Sequence, residues 1–184
     1  HPPIIRACSG LESTLEMARE GRPFLMNLQS DQTTKERMDL YRSTMFEAGF
    51  DEEAVARCVD DSWVWRNIFV ADTDAEAEAI AVPHFRAMRA YLSGNRARMN
   101  TEEERAAQAA AVTGTARDSI DHGLIFGSPE TVRQRLEEVD NIGVGGIIIH
   151  FRLGSMPYAD TEHSLRLFAE KVAPHFKRPD NEHD

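Results

Sequence analysis

The sequence is short of several things that would point to a function at once. Cysteine occurs only at Cys8 and Cys58, too few for a disulfide scaffold. Two thiols among seven methionines suit a reducing, cytoplasmic setting. No apolar run approaches the roughly 18 residues of a membrane span, and no signal peptide is present. Basic residues are outnumbered: 21 Lys and Arg against 31 Asp and Glu leave a net charge of −10, spread along the chain. That argues against nucleic acid or an anionic membrane as the main partner, since both reward basic patches. An anionic cofactor bound by backbone amides is still allowed. Neither G-x-G-x-x-G nor a P-loop occurs, which disfavours a Rossmann or nucleoside-triphosphate site. No cluster of His, Cys, Asp and Glu has metal-ligand spacing, so no metal is implied. The chain also lacks an initiator Met: it opens at His1-Pro2-Pro3, close to a strand-like run, and reads as a piece of a longer protein.

What is there alternates. Pro3–Cys8 is short and β-branched, as a strand should be. After Ser9-Gly10, Leu11, Leu15 and Ala18 recur at helical spacing up to Gly21, a C′ position. Pro23–Asn27 is a second apolar run. Ser30–Thr34 then offers N-caps to a helix carrying Met38, Tyr41, Met45 and Phe46 and ending at Gly49. Val64–Val70 predicts a third strand, with Trp63 and Trp65 on one face as core residues. Asp72-Thr73-Asp74 caps a long helix (Ala77, Ile80, Ala81, Phe85, Met88) in which Pro83 predicts a kink or break and His84 is a surface or half-buried structural residue. From about Ser93 to Ala116 the text turns charged and Ala-rich, an insertion with a surface helix over 106–112 behind a capping box at Thr101–Glu104. Phe126-Gly127 ends a short segment. Ser128 caps the next helix and Pro129 opens it, Val132, Leu136 and Val139 line one face, and Gly143 stops it. Gly146–Phe151 is a continuous apolar strand of the kind buried on both faces. Leu165, Phe168, Ala169 and Val172 make the closing helix, ended by Pro174. Strand–helix alternation implies right-handed crossovers and a parallel sheet. Four βα units are half of what a (β/α)8 barrel of roughly 250 residues contains. The expected fold is therefore α/β, the C-terminal half of a TIM barrel over residues 1–178 with an insertion near 93–116 and a disordered tail at 179–184.

The run Gly127-Ser128-Pro129-Glu130-Thr131-Val132-Arg133-Gln134-Arg135-Leu136 resembles the G-x-P-E-x-V-x-x-R-L segment near the C-terminus of bacterial luciferase-like flavin-dependent monooxygenases. The similarity continues through Gly143, Ile147–Phe151 and the closing stretch Ser164–Phe176. The opening His1–Ile4, with Ser9 to Gly21 after it, resembles the middle of the same family, where the fifth barrel strand begins. The resemblance implies a full barrel that oxidises a small organic substrate with dioxygen and reduced FMN, or a deazaflavin in some branches. The reduced flavin would come from a separate flavin reductase. An N-terminal half-barrel would complete the site, or a homodimer of halves would close it. A catalytically incomplete half-barrel, acting only as a structural or flavin-phosphate-binding module, is the alternative.

By the same resemblance the loop after the fifth strand, here Cys8-Ser9-Gly10-Leu11-Glu12-Ser13, holds the flavin phosphate. The Ser9 and Ser13 hydroxyls and the Gly10 amide are suited to donate to phosphate oxygens at a helix N-terminus, provided that Glu12 points away. The plainer reading of Ser9-Gly10 is a strand-to-helix turn. Cys8, at a strand end, reads as a small buried hydrophobe rather than a nucleophile. Asn27 ends the second strand, where it either contacts the flavin or substrate or caps its own loop. Arg152 follows the last strand, as a phosphate or substrate contact or as a salt bridge to a helix. With His150 it shares one face by alternation, and Phe151 takes the other.

Overall fold

Short apolar runs separated by capped helices leave the chain one economical arrangement, a parallel sheet whose crossovers are helical. The computed structural model describes residues 4–103 and 120–176. The chain divides into two compact units, one of residues 1–66 with 136–149, the other of residues 67–135 with 150–184.

In the first unit β1 (Arg6–Cys8) leads through α1 (Leu11–Arg19) to β2 (Phe24–Met26), then α2 (Asp31–Glu47) and α3 (Glu52–Asp60) lead to β3 (Trp63–Val70). The pairing is parallel, with Arg6, Ala7 and Cys8 opposite Phe24, Leu25 and Met26, and Leu25 and Met26 opposite Trp63 and Val64. β5 (Gly146–His150) also pairs with β3. Ser30 and Asp51 cap α2 and α3 by accepting from the Thr33 and Ala54 amides, each worth about 1 kcal/mol.

The register separates two faces. Cys8, Phe24, Met26 and Val64 are buried with Met17, Ala18, Met38, Tyr41 and Met45 of the helices. Arg66 shares that covered face: its guanidinium donates to Asp31 Oδ1 at 2.9 Å and Thr34 Oγ1 at 3.1 Å on α2. Among the described residues, the opposite face is the less covered one. Trp63 and Trp65, expected in the core, are 43% and 38% exposed there, with Ile5 and Ile148 beside them at 46% and 42%. The strand Gly146–His150, expected to be buried on both faces, therefore has one face open. Period-two alternation identifies which residues share a face but not which face the helices cover. The α1 stripe is likewise rotated, burying Thr14, Met17 and Ala18 and leaving Leu11 exposed.

Two contacts support the pairing of β5 with β3 at its start. Gly145 donates its amide to Ser62 O at 2.9 Å, and Gly146 lies under the Trp63 indole. Arg42 of α2 donates to the carbonyls of Ile142 and Gly143 just before this strand.

In the second unit the remainder of β3, Asn67–Val70, pairs in parallel with β4 (Leu124–Gly127). Phe69, Ala71, Ala77, Ala81, Phe85, Leu124, Leu153 and Met156 form its core. The helix α4 (Asp74–Met99) continues past Pro83, so of the expected kink or break there is no break, and it runs through the start of the expected insertion at Ser93. Pro83 lies on the exposed side, whereas Ala77, Ala81 and Phe85 are fully buried; packing outweighs the one hydrogen bond that proline removes. His84 is half-buried as expected. The predicted helix over 106–112 and the tail 179–184 lie outside the described residues.

A short helix α5 (Ile120–Gly123) precedes β4, and α6 (Pro129–Asp140) follows it. Asp74 Oδ1 accepts from the Ser128 amide at 2.6 Å, and Ser128 Oγ lies 3.1 Å from Thr131 Oγ1. Gly127 has φ +151, and a Cβ there would overlap Thr131 and Asp74, so the glycine of the G-x-P-E run is required by a left-handed turn and a close approach together. The closing helix departs from expectation. α7 (Tyr158–Leu167) passes into a π turn over Phe168–Val172 and a 3-10 turn over Ala173–Phe176 that includes Pro174. Within α7 Ser164 and Leu167 are buried and Leu165 is exposed; beyond it the π turn shifts the register, and Val172 is buried while Ala169 is exposed. Among the described residues, no helix is long and apolar enough to cross a membrane.

Candidate functional site

The turn that joins β1 to α1 is built differently from the other helix starts of its unit. Gly10 occupies the N-cap in an extended conformation and offers no side-chain cap, unlike Ser30 and Asp51. The first-turn amides of α1 therefore lack the side-chain acceptor that those helices have, and the positive end of the helix is turned to solvent with Ser9, Gly10 and Leu11 exposed. A side chain at Gly10 would meet nothing within 4 Å, so the approach is open. Ser13 Oγ and Thr14 Oγ1 donate to the Gly10 carbonyl at 2.9 and 3.1 Å and brace the turn. Glu12 is drawn along the helix by Arg19, 3.0 Å away, which takes its carboxylate away from the helix start.

A cation reaches this turn. Arg37 of α2 donates to the Ser9 carbonyl at 3.2 Å. Burial pushes its pKa down, yet a guanidinium stays charged at any physiological pH. The sequence gives no sign of Arg37, because nothing in a local pattern couples residues 28 positions apart.

The remaining expected site residues fall in different places. Cys8 is fully buried, its thiol toward the Ser13 carbonyl at 3.4 Å. Burial pushes the thiol pKa up, so it stays protonated, as its reading as a small hydrophobe requires. Asn27 stands at the end of β2 next to this turn, its backbone N–H donating to the Cys8 carbonyl at 3.2 Å. Its Oδ1 accepts from the Leu28 amide at 2.9 Å, the loop-capping alternative. Ser9, Gly10, Ser13, Cys8 and Asn27 thus form one neighbourhood. Arg152 belongs to the second unit and is exposed there.

The second unit has a polar pair of its own. Asn67 is 3% exposed; its Nδ2 donates to the Gly123 carbonyl at 2.7 Å and its Oδ1 lies 3.1 Å from His150 Nδ1. His150 is half-buried, and burial pushes its pKa down. Strand β5 stops at His150, so alternation does not extend to Phe151, whose ring instead packs edge-on against Phe168 at 5.2 Å.

The turn suits a phosphate: uncapped amides, an open glycine, a nearby guanidinium and a carboxylate held aside are what such a group needs. Comparisons with known proteins bear on the fold and the family. No curated protein matches the chain. Among solved structures, the monooxygenase RslO1 from Streptomyces bottropensis is similar, with 22% identity over 96% of this chain and 49% of its own, at a TM-score of 0.63. The oxygenating constituent of 3,6-diketocamphane monooxygenase from the CAM plasmid of Pseudomonas putida, solved with FMN, shares 20% identity over 96% of this chain and 50% of its own, at a TM-score of 0.65. The coenzyme F420-dependent tetrahydromethanopterin reductase of Methanopyrus kandleri shares 19% over 93% and 50%, at a TM-score of 0.60. At these identities the likeness is one of fold, and the chain spans about half the length of each of these proteins. The family described as luciferase-like monooxygenase matches residues 1–146. That match rests on the part of the chain that carries the Ser9 turn and the Gly127 run, and it ends before the closing stretch to Phe176. The chain belongs to the luciferase-like monooxygenase family.

Proposed function

We propose that the chain is the C-terminal part of a flavin-dependent monooxygenase that oxidises a small organic molecule with dioxygen. FMN or a deazaflavin supplies the redox chemistry when bound, and the protein supplies binding, orientation and exclusion of water. The observation that carries this reading is the uncapped, open N-terminus of α1 with Arg37 beside it, in a chain of this family. The α1 amides and the Ser9 hydroxyl hold the cofactor phosphate, and Arg37 offsets its charge while bracing the turn through the Ser9 carbonyl. Ser13 contributes only by releasing its bond to Gly10. Cys8 takes part through its backbone, Asn27 lies at the rim, and Arg152 contacts phosphate or substrate.

Four further βα units, from an N-terminal half or from a second copy of the chain, would cover the exposed face that carries Trp63, Trp65 and Ile148. Without that cover the chain is a phosphate-binding half with no enclosed substrate site, which is the second reading, and the exposure of those side chains favours it for the isolated chain.

The test compares FMN with riboflavin, which lacks the phosphate, by flavin fluorescence alongside mass measurement. FMN is expected to bind at least tenfold tighter, the scale of one charge-assisted hydrogen bond, and Arg37→Ala to erase most of that preference. Equal affinities would remove the phosphate from the α1 turn. Flavin binding by a dimer alone would favour closure by a second copy, and a monomer without binding would favour the inert half.

A further inference from the structure

Helix α4 carries a stripe that is longer than the core it serves. Ala81, Phe85, Met88, Leu92, Asn95 and Met99 follow one another at intervals of four, three, four, three and four residues. That spacing keeps side chains on one face of a helix and is the one a helix–helix seam uses. The first members are inside: Ala81 and Phe85 are fully buried, and Met88 packs against the core beside Gly154. The stripe then leaves the core. Leu92 is 36% exposed and Met99 85%, with Asn95 half-buried between them and Tyr91 alongside at 69%. Exposed apolar side chains are ordinary one at a time. These continue, in register, a seam that is already used for packing.

The charge around this seam selects its partner. Residues 79–101 contain four arginines and no Asp or Glu, in a chain whose net charge is −10. Arg89 and Arg98, each next to a methionine of the stripe, take the flanking positions on its two sides. A second copy of the chain would bring the same cations against them, and like charges facing across a helix pair repel. An anionic membrane would have to accept the acid-rich remainder of the chain as well. We propose that the last two turns of α4, Leu92–Met99, dock an acidic amphipathic helix of another protein. Its apolar residues cover Leu92 and Met99, and its acidic flanks lie along Arg89 and Arg98. Asn95, the polar member of the seam, fixes the register of the pair, and the unbranched Met99 adapts to the shape of what it meets. Two turns give only about 12 Å of contact, so the complex is weak and short-lived. No flavin takes part, so the docking is independent of the oxygenase reading.

The probe is a fluorescently labelled peptide of about three heptads with Leu at the seam positions and Glu at the flanking ones. A twin with Lys in place of Glu is its counterpart, and fluorescence anisotropy with the full chain reads both. The acidic peptide is expected to bind with a Kd of about 100 µM at low salt and at least about threefold more weakly at about 0.5 M salt, while the Lys twin does not bind. Met99→Glu and Arg98→Glu are each expected to weaken binding about tenfold. Both positions are exposed, so folding is not at stake. Tyr158→Glu, at a position 72% exposed on α7, is the control and is expected to change nothing. No binding of the acidic peptide, equal binding of the Lys twin, or an affinity indifferent to Met99→Glu would overturn the proposal. So would co-sedimentation with phosphatidylserine vesicles, or a dimer in sedimentation velocity, that Met99→Glu abolishes; these would assign the seam to a lipid surface or to a second copy of the chain.

Discussion

Gly145→Ala is expected to cost about 3 kcal/mol or more of folding stability, enough to leave a marginal domain largely unfolded. Gly145 does not need a left-handed backbone; what it needs is space. A Cβ at this position would overlap the main-chain carbonyls of Val59 and Asp60 at the end of α3. No rotamer relieves an overlap with backbone, so either α3 or β5 has to move. Moving β5 disturbs its pairing with β3, breaks the hydrogen bond from the Gly145 amide to the Ser62 carbonyl and lifts Gly146 from the Trp63 ring. Gly94→Ala is the control. It also adds one methyl group, but inside α4 and with nothing within 4 Å, so it is expected to be neutral or to stabilise by up to about 1 kcal/mol. Urea denaturation of the two variants separates them; similar midpoints would show that α3 yields to the new atom.

Asp31→Ala is the second large effect, an expected loss of about 3 kcal/mol. The Arg66 side chain is only 2% exposed, and its charge is compensated by Asp31 at the start of α2, itself 31% exposed. Removing the carboxylate takes a charged acceptor from a buried guanidinium that also donates to Thr34 Oγ1 and the Trp65 carbonyl, and it also removes an acidic residue from the first turn of α2. Arg66→Met takes away the charge together with its need for a partner and fills similar volume, so its expected cost is below about 1 kcal/mol. The double variant is then expected to be more stable than Asp31→Ala alone. Additive losses in a double-mutant cycle would mean that the two side chains act independently.

These residues also mark how far the sequence could be read. Helix ends were plain because their signals are local: Gly21, Gly49 and Gly143 lie just past helices, and Ser128-Pro129 opens one. The stripe Val132, Leu136 and Val139 is buried as its spacing predicts. Strand β3 misled in an instructive way. Alternation correctly grouped Trp63 with Trp65, and hydrophobicity pointed to them as core. The helices instead cover the face that carries Arg66, where Asp31 of α2 offsets its charge and Thr34 accepts a hydrogen bond from it. Long-range pairing of that kind leaves no local trace, and the same holds for Arg37 with the Ser9 carbonyl and for Asn67 with His150, 83 positions apart. The Ser9 turn was legible as a place, since strand-to-helix glycine turns recur in such folds, whereas the absence of a cap and the removal of Glu12 by Arg19 are visible only in three dimensions.

The exposed sheet face has a practical consequence. The chain has two tryptophans, and both stand on that face. Its ultraviolet emission is therefore an intrinsic gauge of what lies over the sheet. The isolated chain is expected to emit at the red, water-exposed end of the indole range and to be quenched readily by iodide or acrylamide, whereas any piece that completes the fold should shift the emission to the blue and shield it. Completion can thus be titrated optically, with no cofactor, no substrate and no label.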